Sequence, residues 1–200
     1  MKRPAMHAAL AIGLPALPAV AQAHLVTSGL GPFYDGALHL LLSPADLLGL
    51  LAVALLAGLR GRHAGRLTVI ALPLAWLCAG LIGMQLPLVP DLAWVGIVSF
   101  MLLGGLVAAD ARLPSLGMAM LGVIYGTLQG LSSGAGLVAA GAGFTSLGGV
   151  VLTVLLLALL ISAAVAPLQV FWARVAVRIA GSWVVAVGML MLGWMVHGVV

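Results

Sequence analysis

A chain of 200 residues with 64% apolar and 6% charged side chains cannot clothe a water-facing body, whose surface would need charge at roughly a quarter of all positions. Eight Lys and Arg against four Asp and Glu give a net charge of +4, but the basic residues stand in small groups between apolar runs, which argues against a nucleic-acid partner. The solvent for most of this surface is lipid.

Residues 1–23 read as a cleavable export signal. Lys2 and Arg3 form a positive start, Ala8 to Val20 an apolar run, and Ala21-Gln22-Ala23 a small-residue cleavage site. Pro15 and Pro18 interrupt that run, which is short for a hydrocarbon layer of about 30 Å. Cleavage after Ala23 leaves His24 with a free α-amine and makes residues 24–200 one transmembrane helical domain.

About six apolar stretches follow, predicting an all-α, polytopic helix bundle. The first runs from Ser43 to Leu59 and stops at Arg60-Gly-Arg-His-Ala-Gly-Arg66. The second runs from Leu67 to Leu86, the third from Leu92 to Ala109, and the fourth from Ser115 to about Leu131, dissolving into Ser132-Ser-Gly-Ala-Gly136. The fifth covers Thr145 to Ala166, and 167–178 joins it to the sixth, Ile179 to His197. With the mature N-terminus outside, loops 60–66, 110–114 and 167–178 are cytoplasmic. They hold Arg60, Arg62, Arg66, Arg112, Arg174 and Arg178, every basic residue of the mature chain. The positive-inside rule therefore agrees with an export signal and with residence in a bacterial-type inner membrane.

Some smaller features carry expectations of their own. Residues 134–144 read equally as an external loop or a re-entrant piece. Gly122, Gly126, Gly130 and Gly134 form a ladder on the fourth span, suited to tight packing within one subunit or to a homo-oligomer seam. Cys78, the single cysteine, is expected as a buried packing residue, and Asp110, close to Arg112, as half of a cytoplasmic ion pair or as a helix-end charge. No CxxC, P-loop, GxSxG or HExxH pattern occurs, and no acid–base pair or nucleophile constellation suggests an enzyme.

The remaining polar residues are expensive in lipid and so carry the functional expectation. Asp35 and His39 share a face if Phe33 to Leu42 is helical. Asp46 lies seven residues beyond His39, but Pro44 stands between, and Ser43-Pro44-Ala45-Asp46 also reads as a helix start with Ser43 as its N-cap. His24 would offer an amine and an imidazole together, donors that suit Ni²⁺, Cu²⁺ or Co²⁺ better than Mg²⁺ or Ca²⁺. His24, Asp35, His39 and Asp46 are the expected metal ligands of an external vestibule. Tyr125 and Gln129, four apart beside the glycine ladder, either hydrogen-bond between helices or line the pathway below, with Ser99 and Gln85 as further candidates. No permanently bound cofactor is expected; a divalent transition metal is the expected cargo.

His24, Gly36-Ala-Leu-His39-Leu-Leu-Leu-Ser-Pro-Ala-Asp46-Leu-Leu and Arg178-Ile-Ala-Gly181-Ser-Trp with Gly188 together resemble the HupE/UreJ family of small membrane proteins. The family is associated with nickel or cobalt supply to hydrogenase and urease, and the resemblance covers most of the mature chain. Its first-helix motif resembles H-P-x-x-G-x-D-H; His39 and Asp46 match with one extra residue between them, and Leu47 stands at the second histidine. The fourth-helix pattern H-G-x-x-H-G is similar to Tyr125-Gly126-Thr-Leu-Gln129-Gly130, with both histidines replaced. The resemblance implies a membrane permease for nickel or cobalt. The alternative is a non-transporting accessory subunit of a larger complex.

Overall fold

The computed structural model describes residues 28–86, 93–168 and 170–197, so the expected signal peptide, His24 and Asp91 lie outside the described residues. Among the described residues there are seven helices and no strand: α1 (Pro32–Leu42), α2 (Pro44–Leu59), α3 (Arg62–Gly83), α4 (Ala93–Ala108), α5 (Ser115–Ala139), α6 (Phe144–Val165) and α7 (Phe171–Val196). Three of them, α3, α6 and α7, are long and apolar enough to cross a membrane, and α1 with α2 makes a fourth candidate if the bent pair is one span. The six-span expectation is thus met in part. The helix α4 has only 16 residues, and α5 has 25 but falls below the apolar composition of the others because Gly, Ser, Tyr125 and Gln129 interrupt it.

The helix α2 explains the architecture. Apolar on every side, it is the kind of helix that must be buried, and it is the one helix that touches all six others. Leu50, Ala52, Val53, Leu56 and Ala57 on it are fully buried. Around it α3 packs on α5, α4 on α7, and α1 on α6.

Three boundaries differ from the sequence expectation. The basic stretch 60–66 is largely helix, since Arg62, His63 and Arg66 form the first turns of α3. Likewise α7 begins at Phe171, eight residues before the expected sixth span. The fourth span does not dissolve at Ser132 but continues as α5 to Ala139, and 140–143 is a turn into α6. Glycine costs a helix roughly 1 kcal/mol, but here the missing side chains admit α3. A Cβ on Gly126 would stand 2.6 Å from the Leu72 carbonyl oxygen, one on Gly130 2.5 Å from that of Trp76, and Gly134 abuts the Gly80 carbonyl. Each rung advances four residues along both helices, so α3 and α5 run parallel and in register. The ladder is filled from within the chain.

At one end of the bundle, the arginine end, Asp110 adopts φ 51, the left-handed geometry that usually selects glycine after a helix. The Ala111 amide donates to Leu106 O (2.9 Å) and the Asp110 amide to Val107 O (3.0 Å), the paired bonds of a Schellman stop. That turn aims the Asp110 carboxylate at Arg60 and Arg174 (2.8 Å), while Arg178 Nε donates to Ala108 O (2.9 Å). The expected Asp110–Arg112 pair is replaced by this cross-bundle bridge, because the turn throws the carboxylate away from its chain neighbours. Cys78 is exposed rather than packed. It lies about 200° around α3 from Trp76, whose face meets α5.

Candidate functional site

The first helix breaks where proline demands it. A residue before proline avoids the α region, and Ser43 is extended at φ −90, ψ 99 between α1 and α2. Pro44 then starts α2 at a position where its missing N–H costs nothing. The two helix axes differ by 77°. His39 and Asp46 therefore do not continue one helical face.

Ser43 occupies the N-cap position of α2, but its hydroxyl donates to the His39 carbonyl oxygen on α1 (2.8 Å), and α2 has no side-chain cap. Asp46, in the first turn of α2, does not fold back onto the helix start. Its Oδ1 accepts a hydrogen bond from Gln129 Nε2 on α5 (2.7 Å). Gln129 Nε2 also reaches the Tyr125 hydroxyl (3.2 Å), and that hydroxyl donates to the Asp46 carbonyl oxygen (3.0 Å). Asp46, Tyr125 and Gln129 thus form one network joining α2 to α5, with residues 79 and 83 positions apart brought into contact.

Burial sharpens the chemistry. Tyr125 is 2% and Gln129 5% exposed, so the network lies within the bundle, with Gln129 roughly 15 Å along the helix axis from the Ala139 end of α5. Gly49 lets the Tyr125 hydroxyl lie directly against the α2 backbone. Trp76 meets the Tyr125 ring edge-on at 6.0 Å between centroids; its indole nitrogen is buried and has no hydrogen-bond partner. Asp46 stands in the first turn of α2, at the positive end of that helix's dipole, and α1 ends at the same break. Broken helices with opposed half-helix ends build ion sites in membranes.

The other expected ligands are placed differently. Asp35 and His39 do share a face of α1, since α1 is helical. The Asp35 carboxylate, however, accepts from both the amide and the hydroxyl of Ser28 at 2.6 Å, which fixes the start of α1. His39 is half-buried on α1. His24 lies outside the described residues. Among the described residues no three His, Cys, Asp or Glu side chains come together as a ligand set. Ser99 donates to Gly96 O (2.7 Å) within its own helix, and Gln85 is exposed at the end of α3.

Trp76 and Gly49 were missed by sequence reasoning. Trp76 carried a readable signal, because membrane tryptophans favour the interface and this one falls deep in an apolar run. Gly49 carried none until Tyr125 was seen opposite it. No curated protein and no solved structure shows a significant match to this chain. The family model described as HupE / UreJ protein matches residues 11–191, taking in α1 to α6 and most of α7, and the chain belongs to the HupE/UreJ family.

Proposed function

We propose that this protein is a permease for a divalent transition metal, nickel or cobalt, with no catalytic step of its own. The observation that carries the reading is Asp46 at a helix break inside a bundle of apolar helices, its carboxylate held by Gln129 and its backbone carbonyl by Tyr125. A carboxylate at such depth is costly unless it serves a charge in transit. Family membership supports the choice of nickel or cobalt.

In this reading the chain crosses an inner membrane six times, counting the bent α1–α2 pair as one crossing, with the arginine end cytoplasmic and a mature N-terminus outside after cleavage at Ala23. His24 and His39 supply imidazoles on the outer side, Asp35 adds negative charge there, and the dication exchanges waters for Asp46 before passing Gln129 and Tyr125. Lipid and metal are its partners. A homo-oligomer would use glycine-bearing faces other than the ladder, which α3 fills.

Metal uptake by proteoliposomes across a panel of divalent ions tests this. Asp46→Asn keeps the shape and a side-chain carbonyl for Gln129, so the protein should fold normally and lose uptake by at least tenfold. His39→Ala should show the same phenotype. Normal uptake in both variants would sink the proposed site. A second reading, a non-transporting accessory subunit, draws support from the missing three-ligand cluster among the described residues; wild-type protein that moves no metal in the panel would favour it.

A further inference from the structure

A groove of about 450 Å³ opens between α3 and α6 at the arginine end, away from the Asp46 network. Gly65 and buried Ser162 form its floor, the two helices approaching closely enough that a Cβ on Gly65 would lie 3.7 Å from Ser162 Cβ. Val69, Ile70, Leu159 and Ala163 line its walls, and the exposed Arg62 and Arg66 stand at its mouth. We propose that this groove binds one acidic phospholipid, with the headgroup phosphate on Arg62 and Arg66 and an acyl chain along the apolar walls.

Charge and shape select that occupant. Arg62 and Arg66 are one helical turn apart and share a face, so both guanidiniums reach one phosphate, for which their planar donor forks are suited. The groove lining contains no carboxylate, and the one described acid at this end, Asp110, is already held by Arg60 and Arg174. Both arginines also sit at the positive end of the α3 dipole, a repulsion that an anion between them relieves. Both walls belong to helices long and apolar enough to span a membrane. A soluble anion would leave the apolar walls uncovered, and a zwitterionic lipid would answer the arginines poorly. A second copy of this chain has only four acidic residues in all, and its acid at this end is already engaged. Basic pockets between spanning helices on the cytoplasmic side are known sites for acidic headgroups. The proposal needs membrane placement but not metal transport.

The test is native mass spectrometry of the delipidated full chain in neutral detergent, offered phosphatidylglycerol or phosphatidylcholine at equal concentration. Phosphatidylglycerol adducts should be retained on the order of thirtyfold more strongly, the contribution expected of two arginines near a lipid surface. That preference should vanish in Arg62→Gln/Arg66→Gln and persist in Arg112→Gln, an exposed arginine outside the groove. Ala163→Trp, which fills the groove and keeps both charges, should also weaken retention; this variant and the wild-type comparison decide the matter if the double variant does not fold. Equal retention of the two lipids, a preference surviving in the double variant, or unchanged retention in Ala163→Trp would overturn the site. Loss in Arg112→Gln would reduce it to general surface charge, and displacement of the lipid by inorganic phosphate at matched concentration would make the occupant a soluble anion.

Discussion

Asp110 shows how one side chain can hold a helix stop and an ion bridge at once. Arg60 is 9% exposed along its side chain and Arg174 35%, so loss of the carboxylate strands Arg60 far more than Arg174, which still reaches water. Asp110→Asn keeps a residue that tolerates left-handed backbone but removes the anion. It should lower stability by about 1–3 kcal/mol, less than for a fully buried pair, because the site is partly wet. A thermal melt in detergent measures this, and Asp110→Gly separates the two roles. Glycine relaxes the backbone, so a loss as large as in Asp110→Asn assigns the stability to the bridge, while a gain assigns it to the turn. At this scale the sequence was only partly readable. The cost of a carboxylate in lipid marked Asp46, and Pro44 marked a helix start beside it. That Asp46 would reach Gln129 rather than cap its own helix depends on a contact 83 residues away, which no local pattern contains.

Among the elements, α5 carries the clearest test of packing against propensity. Gly134 abuts the Gly80 backbone of α3, whereas a Cβ on Gly136 would meet nothing within 4 Å. Gly134→Ala should therefore cost about 1–3 kcal/mol through overpacking, since a backbone carbonyl cannot step aside as a side chain can. Gly136→Ala, two residues away in the same helix, should be neutral or stabilising by up to about 1 kcal/mol. Comparing melting temperatures of the two variants distinguishes a seam position from an open one. The four-residue ladder was legible in the sequence because its spacing is local. The length of α5 was not, because a run of Ser and Gly ends a helix on propensity alone and continues it only when another backbone lies alongside. The bend at Ser43 stood between these cases. Proline announced a break, and its 77° angle is set by how α1 packs on α6.

For the molecule as a whole, the gathering of arginines at one end makes orientation testable. In a Cys78→Ala background, a cysteine at the exposed His63 should be shielded from an impermeant thiol reagent in intact cells, and one at Ala140 should be labelled. Labelling at position 63 from outside would contradict the proposed orientation and, with it, the outward-facing side of the Asp46 site. Charge asymmetry of this kind is read directly from sequence, since it depends on loops rather than on which helices touch.

The pairing of helices has a further consequence, for biosynthesis. No helix among those described has its principal partner next to it in the chain: α3 packs on α5, α4 on α7, and α1 on α6. In each pair the earlier helix leaves the ribosome before its main partner exists and must wait in the bilayer unpaired. For α3, whose arginines stand at its start, and for α4, almost wholly apolar, waiting is inexpensive. For α5, whose glycines and buried Gln129 and Tyr125 suit it poorly to bare lipid, the partner α3 is already present when it arrives. Chain order thus places this helix second in its pair, so that a waiting surface receives it.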